Sequence, residues 1–183
     1  GDFYGGGFGQ IATYLTLFWT TFAGLKVAQA GSIVGIATML AAFSALVFGT
    51  LSDNLYKYKI GRKFGRRHLL ILLGVPLLLV TVLMFVPGMP VWAYFVVYAL
   101  WIITNQLIMT PYSLLPNEMT TDFNGRTMLS TTRMLFSGIS TAVVPLGMAA
   151  LLNALGDKKS SSYTISMGTF IVIFAICVFI AYK

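Results

Sequence analysis

Charge is what this sequence has least of. Only 9% of its 183 residues are Asp, Glu, Lys or Arg, against about a quarter in ordinary soluble domains. So few charges cannot cover a water-facing surface, which excludes a soluble globular domain. Acids are scarcer still, five against twelve basic residues, and the formal net charge is +7. There is one cysteine, Cys177, inside an apolar run, so no disulfide framework or zinc-type Cys/His spacing exists and no metal ligands are expected. The one histidine, His68, sits in a basic stretch. No nucleophile–base pair accompanies it and no cofactor motif is present, so an enzyme is not expected. Short repeats and low-complexity segments are missing. No cleavable leader is visible, because the first apolar run continues to spanning length with no cleavage-like site after it.

What the sequence does have is long apolar runs, with 57% hydrophobic residues overall. A membrane-spanning helix needs roughly 20 mostly apolar residues. Six segments qualify, at about 3–22, 30–51, 69–86, 91–115, 126–155 and 163–182. They are apolar on most faces rather than on alternate residues, which argues against a barrel of strands. The fold class is therefore an all-α integral membrane bundle of six helices. The stretch 49–68 joins two of these runs and holds six of the twelve basic residues: Lys57, Lys59, Arg62, Lys63, Arg66 and Arg67. In a soluble protein it would suggest a nucleic-acid patch. Between two spanning runs it marks a cytoplasmic loop, and no nucleic-acid partner is expected. With that loop inside, eight basic residues fall on the cytoplasmic side and three outside, with Arg133 set aside inside a helix. Both ends of the segment are then cytoplasmic, in a multi-pass plasma-membrane protein whose partner is the lipid bilayer. The chain begins at Gly1 without Met and reads as a piece of a longer protein.

Ionisable residues inside spanning segments are costly, so each is a functional candidate. Two stand out. Arg133 lies seven residues after Arg126, roughly 10 Å along a helix, and either faces a polar interior or snorkels to the interface. Asp2 opens the first segment, as a site residue or as an interfacial acid. The fourth segment carries Thr104, Asn105 and Gln106, then Thr110, Pro111 and Tyr112. Asn105 and Gln106 can bind hydroxyl-rich ligands, since an amide both donates and accepts; interhelical hydrogen bonding is the other reading. Gly5, Gly6, Gly7 and Gly9 crowd the first segment, for close packing or for local unwinding beside a solute path. Asp53, Glu118 and Asp122 could pair with Arg66, Arg67 and Arg126 at the cytoplasmic face, latching one conformation, or be ordinary solvated loop charge.

Gly49, Thr50, Leu51, Ser52 and Asp53, the basic loop, then Phe64, Gly65, Arg66, Arg67 and His68 resemble the loop between the second and third helices of the major facilitator superfamily. More narrowly the chain resembles the glycoside–pentoside–hexuronide:cation symporters, the group of the melibiose permease. Asp2-Phe3 resembles that group's first-helix pattern. Pro111, Tyr112, Leu115, Pro116, Glu118, Thr120, Asp122 and Arg126 resemble the pattern after its fourth helix, and Thr132, Arg133 and Phe136 that of its fifth. The resemblance implies a twelve-helix transporter of two six-helix bundles, of which this chain would be the N-terminal one, its C-terminal partner bundle lying beyond it. It implies symport of a glycoside or other sugar by alternating access, with the sugar between the bundles near the midplane. Asp2 and Arg133 would hold the sugar, with Tyr112 packed on the ring. Gly49, Asp53, Gly65, Arg66, Arg67, Glu118 and Arg126 would form the cytoplasmic latch. Where sodium-coupled relatives carry acids on the second helix, this chain has Ala41 and Ala45, and the fourth-helix acid is missing near Met109. The coupling ion expected is therefore a proton rather than sodium, exchanged at Asp2, or the protein is a uniporter. A transporter of a non-sugar solute such as a lipid or organic acid, and a six-helix scaffold that transports nothing, stay open as alternatives.

Overall fold

The computed structural model describes residues 1–54, 68–120, 122–156 and 159–182. Among them it shows six helical segments and no strand. They are α1 (Asp2–Thr21), α2 (Val27–Asn54), α3 (His68–Val80), α4 (Val91–Met119), α5 (Phe123–Leu155) and α6 (Ser160–Tyr182). A 3₁₀ turn, Thr81–Phe85, prolongs α3. Four stretches are long and apolar enough to cross a membrane on their own: Val27–Leu51, Val91–Leu115, Phe123–Leu155 and Ser160–Ala181. α3 contributes a shorter apolar stretch, Leu70–Phe85. α1 is 20 residues long, but its glycines, threonines and Gln10 dilute its hydropathy.

The helix ends have local causes. α1 stops where Gly24 takes φ +70°, a conformation that costs a residue without Cβ little. The turn brings Ala23 N–H onto Phe18 O at 3.3 Å and Leu25 N–H onto Trp19 O at 3.1 Å, using carbonyls that a helix end leaves free. α5 begins at Phe123, before the expected Arg126, because Asp122 caps it: its Oδ2 accepts from Gly125 N–H at 2.8 Å. Behind α3, three successive carbonyls are each taken by a side chain. Trp19 Nε1 donates to Met84 O at 3.2 Å, Thr164 Oγ1 donates to Phe85 O, and Tyr94 OH donates to Val86 O at 2.7 Å. Those bonds tie α1, α6 and α4 to one short turn.

The core between the helices is aromatic. Phe8 stacks on Trp101 with ring centroids 4.1 Å apart, and Tyr4 and Phe174 meet edge to face at 5.6 Å. Tyr4, Phe18, Trp19, Tyr94 and Trp101 are fully buried or nearly so. The outer faces are as apolar as the core. Met39, Phe43 and Leu46 on α2, and Met134, Leu135 and Leu146 on α5, are all exposed. Large exposed apolar faces are a liability in water and the normal state of a surface that meets lipid tails or another bundle.

One contact positions the charged residues. α1 and α5 run side by side at very close range. A Cβ on Gly6 would lie 2.2 Å from Ser137 O, and one on Gly7 would lie 2.3 Å from the Phe174 ring and 2.9 Å from Ser140 Oγ. Thr141 Oγ1 donates to Gly6 O at 3.3 Å and Ser140 Oγ to Phe3 O. Only glycine allows so near an approach, so Gly6 and Gly7 serve packing here, whereas a Cβ on Gly9 would meet nothing within 4 Å.

Candidate functional site

The α1–α5 contact fixes the register of the two charges. Arg133 Nε donates to Asp2 Oδ1 at 2.9 Å, an ion pair between helices. Asp2 sits in the first turn of α1, and Arg133 ten residues into α5, about 15 Å along its axis. α4 supplies the third member. Tyr112 OH donates to Asp2 Oδ2 at 2.5 Å, and the Arg133 guanidinium carbon lies 4.8 Å from the centre of the Tyr112 ring, in cation–π range. Each carboxylate oxygen of Asp2 therefore holds one donor, and the three residues brace one another.

The group is not sealed. The side chain of Arg133 is 29% exposed and that of Asp2 16%. A cavity of about 290 Å³ opens beside them, lined by Asp2, Ser130, Arg133, Met134 and Ser137. Arg133 spends its Nε on Asp2, and among the described residues its two terminal nitrogens hold no hydrogen-bond partner, so they can donate in a fixed fork. Asp2 keeps lone pairs for further donors. Carboxylate and guanidinium at one cavity wall thus offer an acceptor and a donor a few ångströms apart, a match for a polyol whose hydroxyls both give and take.

The structure brings together Asp2, Arg133 and Tyr112, and no other member of the expected binding set. Asn105 and Gln106 are half-buried on α4. Asn105 lies seven residues before Tyr112, on nearly the same face but about 10 Å along the axis, and neither amide lines the cavities that Asp2 touches. Asn105 Oδ1 is buried with no partner among the described residues, a cost that normally calls for an explanation. Ser130, Met134 and Ser137 are cavity residues that sequence reading passed over. Their spacing around Arg133 puts them on one face of α5, a signal legible once Arg133 is known to face inward.

Of the expected latch, Gly65, Arg66 and Arg67 lie outside the described residues. Asp53 and Glu118 fall in the last turns of α2 and α4, with side chains outside the description. Gly49 sits on α2 with open room; a Cβ there would first meet Thr110 Cγ2 at 4.0 Å. Arg126 is exposed, and its Nε donates to Thr120 O at 2.9 Å across the α4–α5 turn. Among the described residues, no three His, Cys, Asp or Glu side chains gather as metal ligands.

Comparison with known proteins follows the same direction. The family described as MFS/sugar transport protein matches residues 9–183. "Uncharacterized symporter YjmB" of Bacillus subtilis (strain 168) is 30% identical over 193 residues, covering 100% of this chain and 40% of its own length. "Uncharacterized symporter YnaJ" of the same organism is 27% identical over 172 residues, covering 88% of this chain and 36% of its own length. The chain thus spans about 40% of the length of the curated relatives it matches. No solved structure matches it.

Proposed function

The chain belongs to the MFS/sugar transport protein family, and on that premise we propose that it forms the N-terminal six-helix half of a symporter. That symporter moves a glycoside or other sugar by alternating access. The narrower group is that of the glycoside–pentoside–hexuronide:cation symporters, with both ends of residues 1–183 in the cytoplasm of a plasma-membrane protein. The observation that carries this reading is the Asp2–Arg133 ion pair, held between α1 and α5 with Tyr112 against it and an open cavity beside it. A pair that serves structure alone needs no polar cavity beside it. This one keeps unused donors and acceptors at a cavity wall.

In the proposed cycle the sugar docks on Asp2 and Arg133, Tyr112 flanks its ring, and a second bundle closes over it. Asp2 is also the proposed coupling group. Among the described residues it is the one acid in a helical segment besides Asp53 and Glu118 in the last turns of α2 and α4, and a carboxyl that must shed its proton before pairing with Arg133 ties protonation to the state of the site. Asn105 and Gln106 are proposed as further sugar contacts, with interhelical hydrogen bonding as the other reading. Gly49, Asp53, Gly65, Arg66, Arg67, Glu118 and Arg126 are proposed as the latch that opens and closes in each cycle.

The test is uptake of a panel of labelled saccharides by cells expressing the protein with any chain beyond residues 1–183 retained, with and without a proton gradient. Asp2→Asn and Arg133→Gln are measured beside it. The reading expects saturable uptake of at least one saccharide, driven by the gradient and lost in both variants. Gradient-independent uptake that still needs both residues would retain the site and make the protein a uniporter. Sodium-driven uptake surviving Asp2→Asn would overturn the coupling. No saccharide uptake by well-inserted protein would turn the reading toward a non-sugar solute or a scaffold.

A further inference from the structure

Between the first halves of α2 and α4 runs a second concavity, a groove of about 700 Å³. Ile33, Ile36, Trp92 and Phe95 form its walls, and Gln29 and Ser32 its edge. It is remote from Asp2: on α4, Tyr112 lies seventeen residues beyond Phe95, about 25 Å along the helix. We propose that this groove binds an anionic phospholipid, one acyl chain lying along α2 and α4 and the phosphate at Lys26.

The chemistry of the groove changes along its length in the way an amphiphile's does. Its walls are apolar, and the hydroxyl of Ser32 is already spent on Ala28 O at 2.9 Å, so the slot presents no demand for a polar solute. A cation stands next to the groove in the chain, two residues before its lining residue Ala28. Lys26 is exposed just before the first turn of α2 and has no carboxylate partner among the described residues. Its backbone N–H is held by Gln29 Oε1 at 3.0 Å, which ties the loop to the edge of the groove. The first backbone N–H groups of α2 are free of intrahelical partners and carry the positive end of the helix dipole. A single cation and a helix start above an apolar slot complement a single negative headgroup above an acyl chain.

A helix of the same protein is the other conceivable occupant, and α2 offers it a different face. Gly31 and Gly35, four residues apart, are exposed, and a Cβ on either would meet nothing within 4 Å. Helices approach closely over such small residues, and neither glycine lines the groove. The groove is built of bulky side chains that fit a thin, flexible chain better than a helix.

Trp92 makes the proposal measurable. It is 69% exposed, whereas Trp19 and Trp101 are at most 1% exposed. The purified protein, with any chain beyond residues 1–183 retained, is placed in bilayers containing brominated phosphatidylglycerol or brominated phosphatidylcholine at equal mole fraction. The tryptophan quenching that disappears in Trp92→Phe is the signal. The expected result is a preference of about five-fold for the anionic lipid, the scale of one lysine near an anionic surface. That preference is lost in Lys26→Gln and kept in Lys26→Arg, and Ser32→Phe, which fills the slot, lowers quenching by both lipids. Equal quenching by the two lipids, a preference that survives Lys26→Gln, or no quenching of Trp92 at all would overturn the proposal. The last outcome would mean that protein covers the groove. None of these readings depends on sugar transport.

Discussion

Removing both charges of the Asp2–Arg133 pair should cost less than the sum of the two single removals. The bond is 2.9 Å long, and the side chains are 29% and 16% exposed. A hydrogen bond to a charged group contributes about 1.5–3 kcal/mol, and exposure to water and counterions discounts it towards about 1 kcal/mol. Arg133→Ala leaves Asp2 with only the Tyr112 hydroxyl; Asp2→Ala leaves the guanidinium against the Tyr112 ring with no counter-charge. The double variant leaves neither charge stranded. A double-mutant cycle should therefore show a coupling of about 1 kcal/mol, since residues in contact couple by about 0.5–3 kcal/mol. The assay is reversible unfolding of the purified protein by SDS titration in mixed micelles, for the parent, both single variants and the double variant. Additivity within about 0.3 kcal/mol would refute the reasoning, because residues without a shared interaction behave that way.

Gly6→Ala should lower the melting temperature and weaken the site, because its Cβ would lie 2.2 Å from Ser137 O and must push α1 off α5; Gly138→Ala, where a Cβ meets nothing within 4 Å, should be neutral or slightly stabilising, as alanine is the better helix former. Comparing the two by thermal unfolding separates close packing from helix propensity. Asp122→Ala should destabilise by about 1 kcal/mol through loss of the α5 cap, read in the same SDS titration. Trp19→Phe keeps an aromatic side chain but strands Met84 O, and should cost at least about 1–3 kcal/mol for the buried acceptor left unpaired.

The six helices were legible as apolar runs because lipid removes the need for a polar face, so hydrophobicity marks whole segments rather than stripes. Their ends were less legible, for reasons that lie in single residues. α5 starts at Phe123 because Asp122 caps it, although the next charge, Arg126, looks like the boundary. α4 continues to Met119 through Pro116, where proline suggests a stop. Asp2 and Arg133 stood out because charge is rare in such segments, and the resemblance joined them to Tyr112. What could not be read was the face each helix turns inward. Asn105 and Gln106 share the polarity of a ligand contact, but the 3.6-residue turn and 1.5 Å rise carry Asn105 about 10 Å from Tyr112 and turn Gln106 well off its face. Ser130 and Ser137 look ordinary in the sequence and line the cavity only because the α1 glycines set the register of α5.

The central claim is that Asp2 and Arg133 grip the solute. Its most direct test is calorimetric binding, to the purified protein, of whichever saccharide the uptake panel identifies, compared between the parent and Arg133→Gln. Loss of hydrogen bonds from a charged donor is worth about 1.5–3 kcal/mol, so the account predicts a Kd weakened roughly 10- to 150-fold, with Ser130→Ala changing it far less. An unchanged Kd in a folded Arg133→Gln protein would contradict it, and the ion pair between α1 and α5 would then be a structural clasp alone.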